Sequence, residues 1–349
     1  MKSSFNTKKI FQIVWILGSI SSLYFVPWLL VKAWIMPLPD SIQEQTEKAL
    51  AYGFDGIVVS IDQEGKPPQY YTSGWKNRET KIPADPNALF KIASISKLYD
   101  AVAVSKLVHK GRLSLDKTLA EYLPELKGRI EYVDKITLRH LLQHKSGIPN
   151  FTDSTPNFWG NPTKTYEESI ALILDKPANF EPGQDYAYCN TNYLLINKIM
   201  DEVLGYPNFE FIRDNILKPL QLKHTFGSLQ EVDLDDVMSG YHKGYADDLK
   251  ADDHGMLATA KDLGTFIRAL NKGTVFDSGE QEIYSSIYKY EHAGWVPGYQ
   301  SFASYDEEID AVFIEFYSTT DAELYNWNLS EIFNSRIVTL FKKTIKSNQ

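Results

Sequence analysis

Ser94 and Lys97 stand three positions apart in the segment SISK. On a helix this spacing places both side chains on one face, about one turn apart and within hydrogen-bond reach. A serine hydroxyl is a poor nucleophile until a neighbour removes its proton, and an amine does so only when burial lowers its pKa. The pair therefore predicts a nucleophilic Ser94 with Lys97 as its base.

The same Ser-x-x-Lys spacing also begins at Ser73, Ser114 and Ser286, so the surroundings must select among four candidates. These three serines lie in a turn, a polar connection and a tyrosine-rich run. Only Ser94 opens a long apolar helix, whose first amide groups supply positive potential for an oxyanion. A capping serine followed by a solvated Lys97 is the alternative, and it would be the better explanation of an isolated motif.

Strand-like patterns lie towards both ends of the chain. GIVVSID (56–62) and PQYYTSGW (68–75) are typical of a hairpin, and YQSFASYDEE and EIDAVFIEFYS alternate like antiparallel strands. Helical patterns dominate from about 112 to 275, and another runs from about 322 to 345. This order predicts an α/β (α+β) fold in which one antiparallel sheet is built from both chain ends. Helices flank the sheet, and an all-helical subdomain at about 112–275 is inserted between its halves.

Composition excludes several classes of function. The 349 residues carry a net charge of −9 without a basic stripe, which disfavours binding to nucleic acid. Cys189 is the only cysteine, so an intramolecular disulfide and a cysteine-rich zinc site are excluded. His140 and His144 have a zinc-compatible spacing but no glutamate base between them, and the aspartates from 233 to 253 lack a calcium-loop pattern. We therefore expect no metal and no other cofactor.

The N-terminal stretch 10–31 is uncharged, and as a helix it would span about 33 Å, close to the thickness of a bilayer core. Three lysines precede it and one follows, which places the N-terminus in the cytoplasm by the positive-inside rule. Residues 1–36 are thus predicted to be a cytoplasmic tail and single-pass transmembrane helix, with domain 37–349 outside the cytoplasm at the cell membrane. A cleaved signal peptide, giving a secreted or periplasmic protein, and a buried core helix are the alternatives.

Several stretches resemble, in wording and order, the serine β-lactamases and penicillin-binding-protein-like hydrolases. They are LFKIASISK, AVAVSKLVHKGRLSLDKTLAEYLPEL, ITLRHLLQHKSGIPNF, FEPGQDYAYCNTNYLLINKIM, ILKPLQLKHTF, HGMLATAKDL and HAGWVPGYQSFASY. The likeness covers roughly residues 45 to 345 and excludes the apolar N-terminus. It points to the branch shared by class C β-lactamases, D-alanyl-D-alanine carboxypeptidases and related esterases.

The resemblance matches Tyr188-Cys189-Asn190 to the family's Tyr-x-Asn element. It implies that Tyr188 shuttles the serine proton beside Lys97, and that Asn190 orients Lys97 and binds a substrate carbonyl. A second copy at 206–208 is discounted because it contains a proline and precedes a helix-like sequence. The alternative for Tyr188 is a core aromatic residue with a satisfied hydroxyl.

The family's third element is matched by His292-Ala293-Gly294 in its His-x-Gly form. The resemblance implies that His292 positions substrate and protons. Gly294 would let a substrate backbone approach an edge strand, and the amide of Trp295 would be the second oxyanion donor beside that of Ser94. Ala293 lacks the hydroxyl with which the family's usual Thr or Ser helps to hold a substrate carboxylate, so recognition of such acids should be weakened.

The sequence thus predicts a membrane-anchored serine hydrolase that forms an acyl-enzyme on Ser94. By resemblance its substrates are amides or esters, with cell-wall D-aminoacyl peptides as the leading class because the body faces outward. One alternative is an esterase or short-peptide hydrolase of the same fold, which Ala293 favours. The other is a penicillin- or peptidoglycan-binding or sensing protein without turnover.

Overall fold

The computed structural model describes residues 7–347 apart from Asn157, His254 and Leu324. Its helices are α1 Thr7–Leu23, α2 Trp28–Ile35, α3 Ile42–Leu50, α4 Ser96–His109, α5 Leu119–Tyr122, α6 Leu138–Leu142, α7 Tyr166–Ala171, α8 Asn190–Leu204, α9 Asn208–Ile212, α10 Ala260–Asn271, α11 Glu280–Ser285 and α12 Tyr325–Ser347. Its strands are β1 Gly56–Gln63, β2 Gln69–Asn77, β3 Ile82–Pro83, β4 Phe90–Lys91, β5 Thr225–Phe226, β6 Tyr241–His242, β7 Leu257–Ala258, β8 His292–Val296, β9 Tyr299–Asp306, β10 Ala311–Tyr317 and β11 Thr319–Thr320.

The main sheet has six strands in the order β3-β2-β1-β10-β9-β8. Each neighbouring pair is antiparallel, and the junction between the two chain ends pairs Ile57 of β1 with Tyr317 of β10. The strands β1 to β3 precede the helical part of the chain, whereas β8 to β10 follow it. The predicted sheet built from both chain ends is therefore confirmed, and β8 forms one of its edges.

The sheet is buried on both faces, which explains why β10 is a nearly continuous apolar run. Phe313 and Tyr317 pack in a cluster with α3 and α12. Ile314 and Phe316, which point the other way, join the large core that contains α4 and α10. Because side chains alternate between the faces of a strand, this one strand connects the two halves of the hydrophobic core.

Helix α4 lies at the centre of the large core, as its apolar residues on nearly all sides predict. It contacts α8, α9 and α11. Helix α10 lies instead on the sheet, where Gly264 faces Ile314. The predicted subdomain at 112–275 is not all-helical, since it also contains β5, β6 and β7. Strands of two residues are too short to show a period of two in a sequence, and the bounds of a subdomain stay a prediction.

The apolar N-terminus forms two helices, α1 and α2, with a 75° bend between them. Pro27 lies at the break, where it removes a backbone N–H donor from the chain. Within the described part of the chain no single helix is long and apolar enough to cross a membrane, but α1 and α2 together would qualify by length and composition. The expected continuous helix over 10–31 is thus replaced by a bent pair, and a transmembrane anchor stays a prediction.

Candidate active site

Ser94 lies in a single 3-10 turn, Ala93–Ile95, that leads directly into α4. Ala93 has a φ of +49°, a left-handed conformation that costs energy for a residue with a Cβ. The preceding Ile92 N–H donates to the carbonyl of Met256 at 3.1 Å, which ties the turn to the chain beside β7. The serine is therefore held at the start of a buried helix, and its side chain lines a cleft.

Two groups lie within hydrogen-bond distance of the Ser94 hydroxyl. Tyr188 Oη donates to Ser94 Oγ at 2.7 Å, and Lys97 Nζ lies 3.1 Å from the same oxygen. Lys97 is nearly buried, with 7% of its surface exposed, and its Nζ also donates to Asn190 Oδ1 at 3.1 Å. The structure thus brings together the residues predicted from the first two motifs, although they are separated by more than ninety positions in the chain.

Asn190 is the first residue of α8, and its amide is oriented by two residues that were not predicted as site residues. Its backbone N–H donates to Asn150 Oδ1 at 3.0 Å, and its Nδ2 donates to Thr152 Oγ1 at 3.3 Å. Because Nδ2 is engaged in this way, Oδ1 faces Lys97 as an acceptor. Asn150 lies within the stretch IPNF and Thr152 follows it directly. This stretch resembles the family in the sequence, but the resemblance alone assigns no role to either residue.

His292, the first residue of β8, lines the cleft but has both ring nitrogens engaged within the protein. Nδ1 lies 2.5 Å from the carbonyl of Ala293, so it must be the donor, and Nε2 accepts from Tyr288 Oη at 2.9 Å. Burial, assisted by nearby lysine cations, lowers the pKa of His292 to about 3. The imidazole is therefore neutral, and its ring centre lies 6.2 Å from that of Tyr188.

Gly294 makes room for the protein's own backbone. A Cβ at this position would lie 2.3 Å from the carbonyl oxygen of Ile92 and 2.5 Å from Ser301 Oγ. Ser301 Oγ also donates to the Ile92 carbonyl, at 3.1 Å. The absence of a Cβ thus lets the segment that carries Ser94 pack against β8, and the expected approach of a substrate backbone to Gly294 stays a prediction.

Trp295 is placed to offer its backbone amide at the open edge of the sheet. Val296 and Tyr299 flank the two-residue turn at 297–298, and Trp295 and Gln300 form the next pair along the ladder. In an antiparallel hairpin, hydrogen-bonded and non-hydrogen-bonded pairs alternate, and the pair next to a two-residue turn is hydrogen-bonded. The pair of Trp295 and Gln300 is therefore not hydrogen-bonded, and the Trp295 N–H points away from β9. Ser94 and Trp295 line the same cleft, as two oxyanion donors must.

The cleft has a volume of about 590 Å³, which suits a small or medium-sized organic substrate. Its aromatic lining includes Trp159 and Trp295, whose rings pack edge to face at 5.6 Å. It also contains one side chain of each charge, Asp153 and Lys289. A ligand with both an ammonium and a carboxylate group would therefore find a partner for each.

Two of the other Ser-x-x-Lys serines and the second Tyr-x-Asn copy have different local roles. Ser73 Oγ lies 2.7 Å from Thr46 Oγ1, and Ser286 Oγ donates to the carbonyl of Ile283. In the second Tyr-x-Asn copy, Asn208 Nδ2 donates to Asp201 Oδ1 at 2.8 Å. In these copies the side chains make ordinary hydrogen bonds within or between helices and strands.

A sequence model of the Beta-lactamase family matches residues 40–286, which is more than half of the chain. The chain belongs to the β-lactamase family. The matched region contains Ser94, Lys97, Tyr188 and Asn190 and ends before His292. The Ser-x-x-Lys and Tyr-x-Asn elements thus lie within the family match. The assignment of His292-Ala293-Gly294 as the third element is supported instead by the position of His292 in the cleft.

Curated relatives match part of this β-lactamase-family chain. Protein flp of Staphylococcus aureus strain MW2 is 30% identical over 171 residues, covering 49% of this chain and 34% of the relative. A beta-lactamase of Pseudomonas fluorescens is 32% identical over 193 residues, covering 54% and 50%. The matches thus span half or less of the length of these relatives.

Among solved structures, the D-amino acid amidase of Ochrobactrum anthropi SV3, complexed with L-phenylalanine amide, superposes with a TM-score of 0.75. The likeness covers 87% of this chain and 98% of that protein at 23% identity. The superposition shows that the β-lactamase-like fold extends over most of the chain. The family match and the superposition thus agree on a β-lactamase-like fold.

Proposed function

We propose that this protein is a serine hydrolase that forms an acyl-enzyme on Ser94. The observation that carries the proposal is that Ser94 Oγ lies 2.7 Å from Tyr188 Oη and 3.1 Å from Lys97 Nζ. A hydroxyl with a phenol and an amine within hydrogen-bond distance has both a route for its proton and a group that returns one.

In the first step Ser94 Oγ bonds to the substrate carbonyl carbon while its proton passes to the free-amine form of Lys97, directly or through Tyr188. The amides of Ser94 and Trp295 stabilise the oxyanion. The bond to the leaving nitrogen or oxygen then breaks, and the leaving group takes up the proton from Tyr188 or Lys97. In the second step water attacks the ester, which releases the acid and restores the Ser94 hydroxyl.

The substrates are amides or esters, and D-aminoacyl peptides of the cell wall are the leading class. The presence of Asp153 and Lys289 in the lining of one cleft supports short peptides, whose ends carry opposite charges. Ala293 favours the second candidate, an esterase or short-peptide hydrolase, because it offers no hydroxyl to a substrate carboxylate. In a non-turnover binding or sensing protein the same serine would be acylated and released slowly.

A substrate panel separates these functions. Purified full chain is assayed with a D-alanyl-D-alanine peptide, a D-amino acid amide, a p-nitrophenyl ester and a chromogenic β-lactam, each beside Ser94→Ala. The proposal expects the highest kcat/KM on a D-aminoacyl substrate and none in the variant. Preference for the ester would support the esterase, and a long-lived adduct on Ser94 without turnover would support the sensor.

We also propose that α1 and α2 anchor the protein in the cell membrane, with the catalytic domain outside the cytoplasm. The proposal is supported by the exposed aromatic side chains of Phe11, Trp15 and Phe25, which are 72%, 69% and 79% exposed. Membrane fractionation of wild type and an Ile13→Asp/Ile16→Asp double variant tests it. Wild type should stay in the membrane after an alkaline wash, and a fully released wild-type chain would overturn the anchor.

A further inference from the structure

His144, which in the sequence resembled half of a zinc pair with His140, lies against the proposed proton carrier. It is 2% exposed, and its ring centre lies 4.5 Å from that of Tyr188. It thus forms part of the support behind a side chain that itself faces the cleft.

The backbone on both sides of Tyr188 is held by this one residue. The N–H of Ala187 donates to the main-chain oxygen of His144 at 3.0 Å. The N–H of Cys189 donates to Nδ1 of the His144 ring at 3.1 Å. Two bonds that flank a residue fix where its Cα lies and how its side chain leaves the backbone.

The conformation of His144 makes this double contact possible. It follows the end of α6 with a φ of +56°, in the left-handed region. The next residues continue the pairing, since Lys145 accepts from Gly183 N–H and Gly147 accepts from Asn179 N–H, each at 2.8 Å. The backbone carbonyls of the segment from His144 to Gly147 therefore hold the loop that carries Tyr188 in place by hydrogen bonds.

Only one protonation state of His144 supports the contact. Nδ1 must be unprotonated to accept from Cys189, so the ring proton sits on Nε2, which has no hydrogen-bond partner among the described residues. Burial, with the cations of Lys97 and Lys289, lowers the pKa of His144 to about 3 and keeps it neutral. The groups that face the ring are these two lysines, Asn192 Nδ2 and the phenols Tyr186, Tyr188, Tyr193 and Tyr288.

We propose that His144 is a positioning residue that keeps Tyr188 Oη on Ser94 Oγ by fixing the backbone on both sides of Tyr188. The proposal rests on the acyl-enzyme function proposed above, because it assigns Tyr188 a part in proton transfer. A purely structural histidine would affect stability alone, whereas a positioning residue affects the rate of acylation in protein that is fully folded.

Two substitutions separate the contributions of the ring. In His144→Asn the amide oxygen replaces Nδ1 as acceptor, and asparagine tolerates a positive φ. In His144→Phe the aromatic contact stays and the acceptor is lost. We expect kcat for acylation to fall about 10- to 100-fold in the Phe variant with little change in KM, and to stay within about fivefold of wild type in the Asn variant. His140→Asn, on the preceding helix, is the matched control and should leave kcat unchanged.

A folded His144→Phe variant with wild-type kcat would overturn the proposal. So would an Asn variant that folds but is as slow as the Phe variant. If the Phe variant does not fold, nitrogen NMR of the histidine-labelled full chain in detergent gives the answer, with the His144 signals assigned through His144→Asn. A neutral ring with its proton on Nε2 from pH 5 to 8 supports the proposal, and a charged ring or a proton on Nδ1 overturns it. Failure of the proposed function is distinguishable, because wild type itself would then form no adduct on Ser94.

Discussion

The two walls of the cleft use their polar groups differently. On the helical wall Ser94, Lys97, Tyr188 and Asn190 are hydrogen-bonded to one another, with their reactive atoms turned into the site. On the strand wall His292 is bonded to the protein's own Ala293 and Tyr288, and the next two side chains are a methyl group and a hydrogen. Under the proposed function, the helical wall performs the chemistry, whereas the strand wall shapes the bound substrate through its backbone.

The largest effect is expected from Lys97→Met on the helical wall. The variant removes the amine from Ser94 Oγ and from Asn190 Oδ1, so the rate of acylation should fall by about 10²- to 10⁴-fold. Stopped-flow measurement of p-nitrophenol release gives this rate. Lys198→Met, at a surface pair with Glu202, is the control and should match wild type. A Lys97→Met variant that kept a tenth of the wild-type acylation rate would contradict the assignment of the chemistry to the helical wall.

The contact between the two walls is tested by Gly294→Ala. The new methyl group would lie 2.3 Å from the Ile92 carbonyl, so β8 and the nucleophile segment must separate. We expect loss of about 1–3 kcal/mol in the free energy of unfolding and at least a tenfold loss of kcat/KM.

Gly264→Ala in α10 is the control for that substitution, because its new Cβ would meet Ile314 at an ordinary 3.7 Å. An alanine inside a helix should stabilise the protein by about 0.5–1 kcal/mol. Urea unfolding and kinetics of both variants decide the question. Equal behaviour of the two variants would contradict the tight contact at Gly294.

The pH dependence should distinguish the walls as well. Burial raises the pKa of Asp100, on α4 beside Lys97, to about 7, whereas that of His292 is lowered to about 3. As the pH rises through 7, Asp100 becomes charged, which places a negative charge beside the amine that contacts Ser94 Oγ. An inflection of kcat/KM near pH 7 should therefore disappear in Asp100→Asn and persist in His292→Gln. An inflection lost only in the histidine variant would assign the titration to the strand wall.

The smallest effect is expected from Ala293→Thr. The added hydroxyl offers one hydrogen bond to a substrate carboxylate, which is worth about 1 kcal/mol and hence about fivefold in KM. The comparison uses a D-alanyl-D-alanine peptide and its C-terminal amide. A gain confined to the free acid would support a selective strand wall, and equal gains on both substrates would contradict it.

The sequence predicts the sheet and the nucleophile because both depend on local patterns. Strand-like patterns mark β1, β9 and β10, and the Ser-x-x-Lys spacing opens a helix with apolar residues on nearly all sides. The supports of the site are not local. Asn150 lies 40 positions from Asn190, and His144 lies 45 positions from Cys189.

Such contacts depend on where loops meet after folding, and no periodicity reports them. The close approach at Gly294 is of the same kind, because the Ile92 carbonyl that fills its space lies two hundred residues earlier in the chain. Pro27 was visible in the sequence, but the 75° bend between α1 and α2 and the contact of α2 with α12 were not.

The central claim is that Ser94 is the acylated nucleophile. Purified full chain is treated with a fluorescent phosphonate, and the adduct is located by peptide mass spectrometry. Wild type should carry one label on Ser94, and Ser94→Ala should carry none while it unfolds like wild type. Labelling of Ser94→Ala at full strength, or an adduct on another residue of wild type, would contradict the account.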